Sequence, residues 1–394
     1  MVALTFDEAR TCVLREVGVS MGTETISLAE AAGRVLAEEI KADRDYPPFP
    51  RSARDGFAVR AADLPGELLV NGEVRAGEMF PGSVAAGQAV EIMTGAPVPD
   101  GADAVVMVEH TVRNGDRVRI DRSAQPGDNF NARGLEARGG DAVLFVGVHI
   151  GYAEVAMLAT VGHTRVLVYR RPRVAIVATG DEIVEPSEQP APHQIRNSNA
   201  ASLAVQVSGA GGMPVILPTA RDEYESTRAC IEDGLRTDML LLSGGVSAGK
   251  YDLVEKVLAA LGAEFFFDRV KIQPGQPLVF GKARDKYFFG LPGNPGSTMI
   301  TFETIARAAI EKIQGLREPA LNLLHARLAR PFHQKAGLTR FLPARLSSDG
   351  ATIEPQVSHG SGDVGAMARC NAYLVTDPDR TEWASGDEIR VLLK

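Results

Sequence analysis

The sequence predicts a multi-domain protein in which a central three-layer α/β domain with a mostly parallel sheet is flanked by β-rich regions. Strands alternate with amphipathic helices between residues 173 and 314, which is typical of a parallel sheet covered on both faces. Short strands and turns dominate between residues 68 and 150, and again beyond residue 319. A chain of 394 residues exceeds one ordinary core, so three or four domains are expected.

Composition and charge narrow the class of protein. Hydrophobic residues make up 45% and charged residues 23% of the chain, as in globular proteins. No apolar run reaches the length of a membrane span and no signal-peptide pattern is present, so we expect a cytoplasmic protein without membrane contact. The net charge of −8 argues against a nucleic-acid partner. The cysteines, Cys12, Cys230 and Cys370, form no C-x-x-C pair, which is typical of a reducing compartment and excludes the usual zinc spacing.

Two capping boxes predict helices at the start of the chain. Thr-Phe-Asp-Glu at 5–8 precedes an apolar stripe with helical spacing. Ser-Leu-Ala-Glu at 27–30 predicts a second helix that runs to about Ile40. Two helices so close together indicate an αα unit.

A rigid, proline-rich loop leads into the first β-rich region. Asp55 follows this loop and is either a carboxylate held for function or a turn residue before Gly56. Thr94, which precedes a glycine, is open to the same two interpretations. Asn114-Gly115 predicts a hairpin between strands at 104–111 and 117–120.

The elements of the α/β region follow in order. Strands are predicted at 166–169, 173–178, 214–217, 239–242 and 287–291, and helices at 152–161, 198–208, 222–235, 254–261 and 297–314. The region beyond residue 319 is predicted to contain a hairpin of 342–346 with 352–355, and strands at 372–375 and 389–393.

Two glycine-rich turns at the ends of buried strands predict an anion-binding site. Each precedes a helix, whose N-terminus and backbone N–H groups favour a phosphate. Because open α/β sheets bind ligands at their carboxyl edge, we expect both turns in one cleft. The candidate ligand contacts are Ser243, Gly244, Gly245, Ser247 and Gly249 in the first turn, and Pro292, Gly293 and Asn294 in the second. The alternative is that these glycines only form tight turns.

The first turn does not match a nucleotide-binding P-loop. The stretch 244–250 has the spacing G-x-x-x-x-G-K, but Tyr251 follows where a Ser or Thr would bind Mg²⁺. Lys250, Arg269 and Lys271 are the positive charges expected near the turns, and a solvated surface role stays open for each. No Ser/His/Asp pattern, nucleophilic cysteine or metal-ligand spacing of histidines can be argued.

Carboxylates beside the phosphate turns predict a magnesium site. Asp181 and Glu182 follow the strand at 173–178, and Asp252 follows the first glycine turn. Acidic side chains there would repel a phosphate unless a divalent cation lies between them. The alternative roles are helix capping for Asp181 and a first-turn helix position for Asp252. The polar run at 195–199 either binds the ligand or caps a helix.

Five segments occur in order along the chain. They are PPFPRSARDGFA at 47–58, IMTGAPVPDGADAVV at 92–106, TGDE at 179–182, SGGVSAG at 243–249 and LPGNP at 291–295. Each is weak alone, but together they resemble the molybdopterin molybdenumtransferase family, which includes MoeA and the E domain of gephyrin. The resemblance extends over essentially the full length of the chain.

The resemblance implies a function and an assembly. The family cleaves adenylylated molybdopterin with Mg²⁺ and inserts molybdate into the dithiolene, giving molybdenum cofactor and AMP. Its members are elongated homodimers with a cleft between the α/β domain of one subunit and the β domain of the other. On that pattern Asp55 and Thr94 face Glu182 and Asp252 across the dimer, and all four are catalytic candidates. Transient contact with the molybdopterin adenylyltransferase and with molybdoenzymes is also implied. A non-catalytic molybdopterin-binding or scaffold paralogue is the alternative.

The family pattern also implies a division into domains. The expected parts are an N-terminal helix packed on the α/β domain (1–20), an elongated linking domain (21–46 and 137–171), a β-rich domain (47–136), the α/β domain (172–317) and a C-terminal β-barrel-like domain (318–394).

The chain departs from the family at positions that bear on the oxyanion. Gln273 and Gln276 stand where lysines are common, Lys250 replaces a usual acidic residue, Arg54 a Met and Gly296 a Val. Glutamines keep hydrogen-bond donors but lose charge, so attraction for molybdate must come from elsewhere. If 269–273 is a strand, Arg269, Lys271 and Gln273 share one face, and we expect Lys271 to bind molybdate and Lys250 the phosphorylated pterin. Arg340 and Ser361 are the next candidates.

Overall fold

The computed structural model describes residues 3–245 and 253–394, and its first helix begins at the predicted capping box. Helix α1 (Phe6–Glu16) starts where Thr5 Oγ1 accepts from Glu8 N at 3.3 Å and Glu8 Oε2 accepts from Thr5 N at 2.8 Å. Its buried face, with Phe6 and Val13, packs into the core of the α/β region. Arg10 extends this contact by donating to Thr304 O and Pro319 O.

The second capping box does not start an α-helix. Ser27 and Glu30 bond to each other as expected, but only a three-residue 3₁₀ turn (Leu28–Glu30) follows, between strands β1 (Thr23–Ser27) and β2 (Ile40–Lys41). Beyond the turn, Gly33 N donates to Ile150 O and Leu36 N donates to Val148 O. Because these long-range bonds take the place of helical ones, the predicted helix to Ile40 and the αα unit were wrong.

The β-rich region forms a six-stranded sheet and a small two-stranded one. Its strands are β3 (Arg51–Ser52), β4 (Gly56–Val59), β5 (Gly66–Val74), β6 (Gln88–Ile92), β7 (Ala104–Met107), β8 (Val112–Asn114), β9 (Arg117–Ile120) and β10 (Phe130–Asn131). The large sheet has the order β7-β4-β6-β5-β9-β8, and β3 pairs with β10. The hairpin at Asn114-Gly115 joins β8 to β9, whereas β7 pairs with β4 instead of joining that hairpin.

The chain then returns beside its first strands. The returning elements are β11 (Ala142–Leu144), α2 (Tyr152–Thr160) and β12 (Arg165–Tyr169). Strand β1 pairs with β12 and β2 with β11, both antiparallel. Leu36, Ile40, Ile150 and Val168 share the core of this body. The segments before and after the β-rich sheet therefore close on each other.

The α/β region has a six-stranded sheet with helices on both faces. Its elements are β13 (Arg173–Ala178), β14 (Ile183–Val184), β15 (Ile195–Arg196), α3 (Ser198–Gly209), β16 (Met213–Ile216), α4 (Tyr224–Gly234), β17 (Met239–Ser243), α5 (Leu253–Ala260), β18 (Glu264–Arg269), β19 (Ile272–Gln273), β20 (Pro277–Ala283), β21 (Lys286–Leu291), α6 (Pro295–Thr301) and α7 (Arg307–Ile313), the last two joined by a π-helical turn (Phe302–Ala306). The sheet order is β16-β13-β17-β21-β20-β18. The first four strands are parallel, and β20 and β18 extend the sheet antiparallel.

Successive side chains of β13 point to opposite faces of the sheet, and each face packs against a layer of helices. Val174 and Ile176 enter a core shared with α1, α3 and α7, while Ala175 and Val177 enter a second core shared with α4 and α5. Strands β18 and β20 were not predicted, although the aromatic run 265–267 was a local signal for the first of them.

The C-terminal region closes into a barrel. Its elements are β22 (Leu323–Leu328), β23 (Phe332–His333), β24 (Thr339–Leu346), β25 (Thr352–Pro355), α8 (Val364–Arg369), β26 (Ala372–Val375), β27 (Glu382–Trp383) and β28 (Glu388–Leu393). Strands β24, β25, β22, β28 and β26 form a closed ring, because β26 pairs back to β24. Strand β19 adds to β24 in parallel and joins the barrel to the α/β region. The predicted fold class is confirmed. No helix in 3–245 or 253–394 is both long and apolar enough to cross a membrane.

Candidate functional site

A cleft of about 1130 Å³ lies where the carboxyl edge of the parallel sheet meets the C-terminal barrel. This is the edge at which open α/β sheets bind ligands. Both glycine turns contribute to the lining of the cleft, which includes Ser243, Gly244, Gly245, Pro292, Gly293 and Asn294. The other candidates of the first turn, Ser247, Gly249, Lys250 and the following Asp252, lie outside the described residues.

The first turn packs tightly between two strand ends. Thr179 N donates to Ser243 O at 3.0 Å, and Gly244 N donates to Leu291 O at 3.1 Å. Gly244 and Gly245 have φ of +92° and +64°, and a Cβ on Gly244 would lie 2.9 Å from Thr179 O. Only glycine satisfies both the left-handed backbone and this close approach. The same contacts bring the two turns side by side.

Asn199 ties the two turns together. Its Nδ2 donates to Ser243 Oγ at 2.8 Å and to Gly293 O at 2.7 Å. The capping role in the polar run belongs to Asn197, whose side chain accepts from Ala200 N. Asn199 Oδ1 and Thr179 Oγ1 are buried without a hydrogen-bond partner among the described residues. Because buried polar atoms are normally bonded, both oxygens are available to a ligand or a water.

Two carboxylates line the sheet side of the cleft. Glu182, predicted from the sequence, lines it together with Asp222, which the sequence reasoning did not single out. Asp181 lies beside them and bonds to Asp222 through the backbone: Asp222 N donates to Asp181 Oδ1 at 3.3 Å. Within the described ranges, no three His, Cys, Asp or Glu side chains form a group that could hold a metal by themselves.

The barrel side of the cleft is cationic. Arg340 is buried, with 7% of its surface exposed, and its Nε donates to Gln273 Oε1 at 2.9 Å. Burial lowers the pKa of the Arg340 guanidinium, but its ordinary value lies so far above neutrality that the group stays charged. Ser361 lies on the same side, where its Oγ accepts from Asn294 Nδ2 at 2.8 Å. Gln273 and Gln276 complete this wall.

Arg269 and Lys271 do not belong to the lining of the cleft. Strand β18 ends at Arg269, whose carbonyl accepts from Leu4 N, and Lys271 N donates to Leu4 O. Val270 forms an isolated parallel bridge with Leu4, and the next strand, β19, begins only at Ile272. The continuous strand expected over 269–273 was therefore wrong, and with it the common face of Arg269, Lys271 and Gln273.

The motifs around Asp55 and Thr94 meet in the β-rich body. Asp55 Oδ1 accepts from Thr94 N at 2.6 Å and from Thr94 Oγ1 at 2.7 Å. The Thr94 backbone N–H, and after it the hydroxyl, hold the pKa of the Asp55 carboxyl below its ordinary value. Both residues are exposed, and neither lines the cleft of its own chain.

Three family models match successive parts of the chain. The model of the MoeA N-terminal region (domain I and II) matches residues 4–162. A model described as a probable molybdopterin binding domain matches residues 175–312. The model of the MoeA C-terminal region (domain IV) matches residues 325–394.

Known proteins are similar to the chain over nearly its whole length. The molybdopterin molybdenumtransferase of Bacillus subtilis (strain 168) is 34% identical over 403 residues, which cover 98% of this chain and 93% of that protein. The enzyme of the same name from Staphylococcus epidermidis (strain ATCC 12228 / FDA PCI 1200) is 33% identical over 378 residues, with 93% and 90% covered. The crystal structure of the molybdopterin biosynthesis moeA protein from Pyrococcus horikoshii OT3 superimposes with a TM-score of 0.82 at 28% identity, with 100% of both chains covered.

Proposed function

Because the chain belongs to the MoeA family of molybdopterin molybdenumtransferases, we propose that it cleaves adenylylated molybdopterin with Mg²⁺ and inserts molybdate into the dithiolene. The products are molybdenum cofactor and AMP. The observation that carries this proposal is the separation of charge in the cleft, with Glu182 and Asp222 on the sheet side and Arg340 on the barrel side. Carboxylates can hold the Mg²⁺ ion that binds the negatively charged phosphoanhydride, whereas the molybdate anion needs positively charged hydrogen-bond donors.

The glycine turns are proposed to bind the phosphates. Residues 243–245 and 292–294 bring backbone close to the space beside Glu182. Thr179 Oγ1 can donate to a phosphate oxygen, because a hydroxyl is both donor and acceptor. Asn199 Oδ1 can only accept, so its partner is an N–H or O–H of the substrate, and pterin rings supply N–H groups. Asn199 would thus orient the pterin while its amide nitrogen holds the turns.

Glu182 and Asp222 are proposed to hold Mg²⁺ together with the substrate phosphates. Magnesium in proteins is usually bound by one or two carboxylates, with substrate phosphates and waters completing the octahedron. The two carboxylates of the cleft fit that requirement, and Asp252 was expected as a further ligand. When bound, Mg²⁺ would neutralise charge on the phosphates and on departing AMP. Asp181, expected as a ligand, instead positions Asp222 in this proposal.

Arg340 and Ser361 are proposed to hold molybdate at the barrel wall. This replaces the expected role of Lys271, which does not line the cleft. The glutamines at 273 and 276 add neutral donors beside the guanidinium. Cleavage and insertion then depend on positioning and electrostatic stabilisation, without a nucleophile from the protein.

A homodimer is part of the proposal. Asp55 and Thr94 are hydrogen-bonded to each other, are exposed and do not line the cleft of their own chain, which suits a role in the cleft of a second subunit. A cytoplasmic location, supported by three free cysteines, and transient contact with the molybdopterin adenylyltransferase and molybdoenzymes complete the proposal.

The proposal is tested by incubating the purified protein with adenylylated molybdopterin, Mg²⁺ and molybdate. We expect AMP release together with formation of a molybdenum-bearing pterin. Tight binding of the pterin without AMP release would contradict the proposal and identify a scaffold protein.

A further inference from the structure

Gln273 and Arg340 face each other across the seam between the α/β region and the barrel. They are register partners in the parallel pair β19–β24, in which Ile272 lies beside Thr339 and Gln273 beside Arg340. Thr339 N donates to Lys271 O at 3.1 Å and closes the pair. The side chains add a second connection, because Arg340 Nε donates to Gln273 Oε1 at 2.9 Å.

The chemistry of the pair sets the orientation of the Gln273 amide. A guanidinium has donors only, so its partner must be the amide oxygen and not the amide nitrogen. A lysine at position 273 has no acceptor and could not form this bond. The glutamine is therefore not a weaker version of the lysine that is common in the family, since it makes a different interaction.

The guanidinium of Arg340 is held on one side. Besides Nε, its Nη1 donates to Leu338 O at 3.4 Å and to Lys335 O. Nη2 makes no hydrogen bond to the described parts of the chain, and Arg340 lines the cleft. A guanidinium whose Nε and Nη1 are bonded, and whose Nη2 has no partner among the described residues, is already arranged to receive an anion.

We propose that Gln273 is a positioning residue that orients Arg340 for oxyanion binding. This inference rests on the proposed function of the same cleft. The charge that attracts molybdate is carried by Arg340, and Gln273 turns the free Nη2 towards the cleft. A lysine at 273 would remove the acceptor and place a second positive charge beside the guanidinium. It would therefore release Arg340 from its orientation.

The test is a double-mutant cycle on the molybdate dependence of the reaction in the full-length protein. Gln273→Met removes the acceptor at similar size and should raise the half-saturating molybdate concentration about threefold to tenfold. Arg340→Met should raise it about tenfold to a hundredfold. In the Arg340→Met background, Gln273→Met should add nothing, because its effect passes through Arg340. A purely structural role would give additive effects.

Two further variants sharpen the test. Gln273→Lys should raise the half-saturating molybdate concentration, although it adds a positive charge. Gln273→Glu keeps the acceptor, but its negative charge offsets the positive charge of Arg340. This variant should therefore raise the half-saturating molybdate concentration without lowering the unfolding temperature. The matched control is Gln88→Met, which removes an acceptor for Ala85 N in the β-rich sheet and does not belong to the lining of the cleft.

The outcomes separate this inference from the function on which it rests. Absence of AMP release in the wild-type protein would overturn the proposed function, and this inference with it. Two results would overturn the role of Gln273 while leaving the proposed function intact, provided that the wild-type protein turns over. One is additive effects in the double-mutant cycle. The other is a lower half-saturating molybdate concentration in Gln273→Lys. If Gln273→Met fails to fold, Gln273→Lys and Gln273→Glu test the role of Gln273 instead, because both are expected to raise the half-saturating molybdate concentration.

Discussion

The cleft and the Asp55–Thr94 pair are built in opposite ways. The cleft collects side chains from distant segments, so Glu182, Asp222 and Arg340 meet only when the α/β region and the barrel are joined. The pair instead lies beside the ends of two neighbouring strands of the large β-rich sheet. Strands β4 and β6 are antiparallel partners with Gly56 opposite Ile92, so the start of one strand meets the end of the other.

This difference bears on whether the Asp55–Thr94 pair and the cleft act together in one site. The pair is complete and ionised without any other part of the chain, yet it faces solvent. The cleft has two buried polar atoms without a partner among the described residues, and no described residue of the β-rich body lines it. These two observations motivate the proposal that the pair serves the cleft of a second subunit.

The largest effect is expected from Glu182. Glu182→Gln keeps the size of the side chain but removes a charge from the proposed Mg²⁺ site, and AMP release should fall about a hundredfold or more. The measurement is AMP release as a function of Mg²⁺ concentration. Glu185→Gln, an exposed neighbour outside the cleft lining, is the control. Activity of the Glu182 variant equal to wild type at ordinary Mg²⁺ would contradict the assignment.

Mixing two inactive variants tests the shared cleft directly. If two subunits share each cleft as proposed, Asp55→Ala and Glu182→Gln each disable every cleft of their own homodimers, whereas a hybrid dimer contains one intact cleft. After free subunit exchange of equal amounts, activity should return to about a quarter of wild type. Subunit exchange is verified separately with differently tagged chains. Verified hybrids without recovered activity would show that each cleft belongs to one chain.

Gly296→Val tests how closely the barrel approaches the sheet edge. A Cβ at this position would lie 2.8 Å from Ser361 O, the acceptor of the Gly296 N–H. A valine here therefore requires a shift of this loop, and we expect a loss of about 1–3 kcal/mol in the free energy of unfolding. Urea denaturation measures it. Gly362→Val, where a Cβ would meet nothing within 4 Å, is the control. Equal stability of both variants would argue against the close contact.

The smallest effect concerns the pH dependence of stability. Because the folded-state pKa of Asp55 is lowered, its ionised form contributes stability at neutral pH that is lost as the pH falls through that pKa. Thr94→Val removes the hydroxyl donor, keeps the backbone N–H and moves this pKa up towards its ordinary value. The variant should be less stable than wild type at neutral pH, and the difference should vanish in acid.

Denaturation curves at neutral and acidic pH measure this difference. Thr111→Val is the control, because the Thr111 hydroxyl donates to a carbonyl, Val108 O, which does not titrate. Its effect on stability should be the same at both pH values. A pH-independent loss in Thr94→Val would show that the hydroxyl does not act through Asp55.

Features with a local cause could be predicted from the sequence. The apolar run before Gly244 and the glycines after it indicate a buried strand and a turn in any context. The capping box at Thr5 likewise depends on residues three apart, and it forms. The four parallel strands of the sheet and helices α3, α4 and α5 were therefore predicted within a few residues, and so was the meeting of the two turns at the sheet edge.

Features with a distant cause could not be predicted. The box at Ser27 forms, but bonds to 148–150 determine the backbone conformation beyond it. Lys271 was expected in the cleft because the sequence does not show that Leu4 pairs with the chain at this point. Asp222 and the contact of Gln273 with Arg340 were missed for the same reason, since each depends on segments that meet only in the folded protein.

The packing of α1 has a consequence for the order of folding. Arg10 reaches Thr304 O, 294 residues further along the chain, and Tyr287 Oη donates to Glu16 O across 271 residues. During synthesis the helix is made early, but its binding surface exists only after the last α/β elements have emerged. Closing loops of this length is slow, because their entropy is lost before the contacts form. We therefore expect Phe6 and Val13 to remain without their packing partners until those later elements have been made.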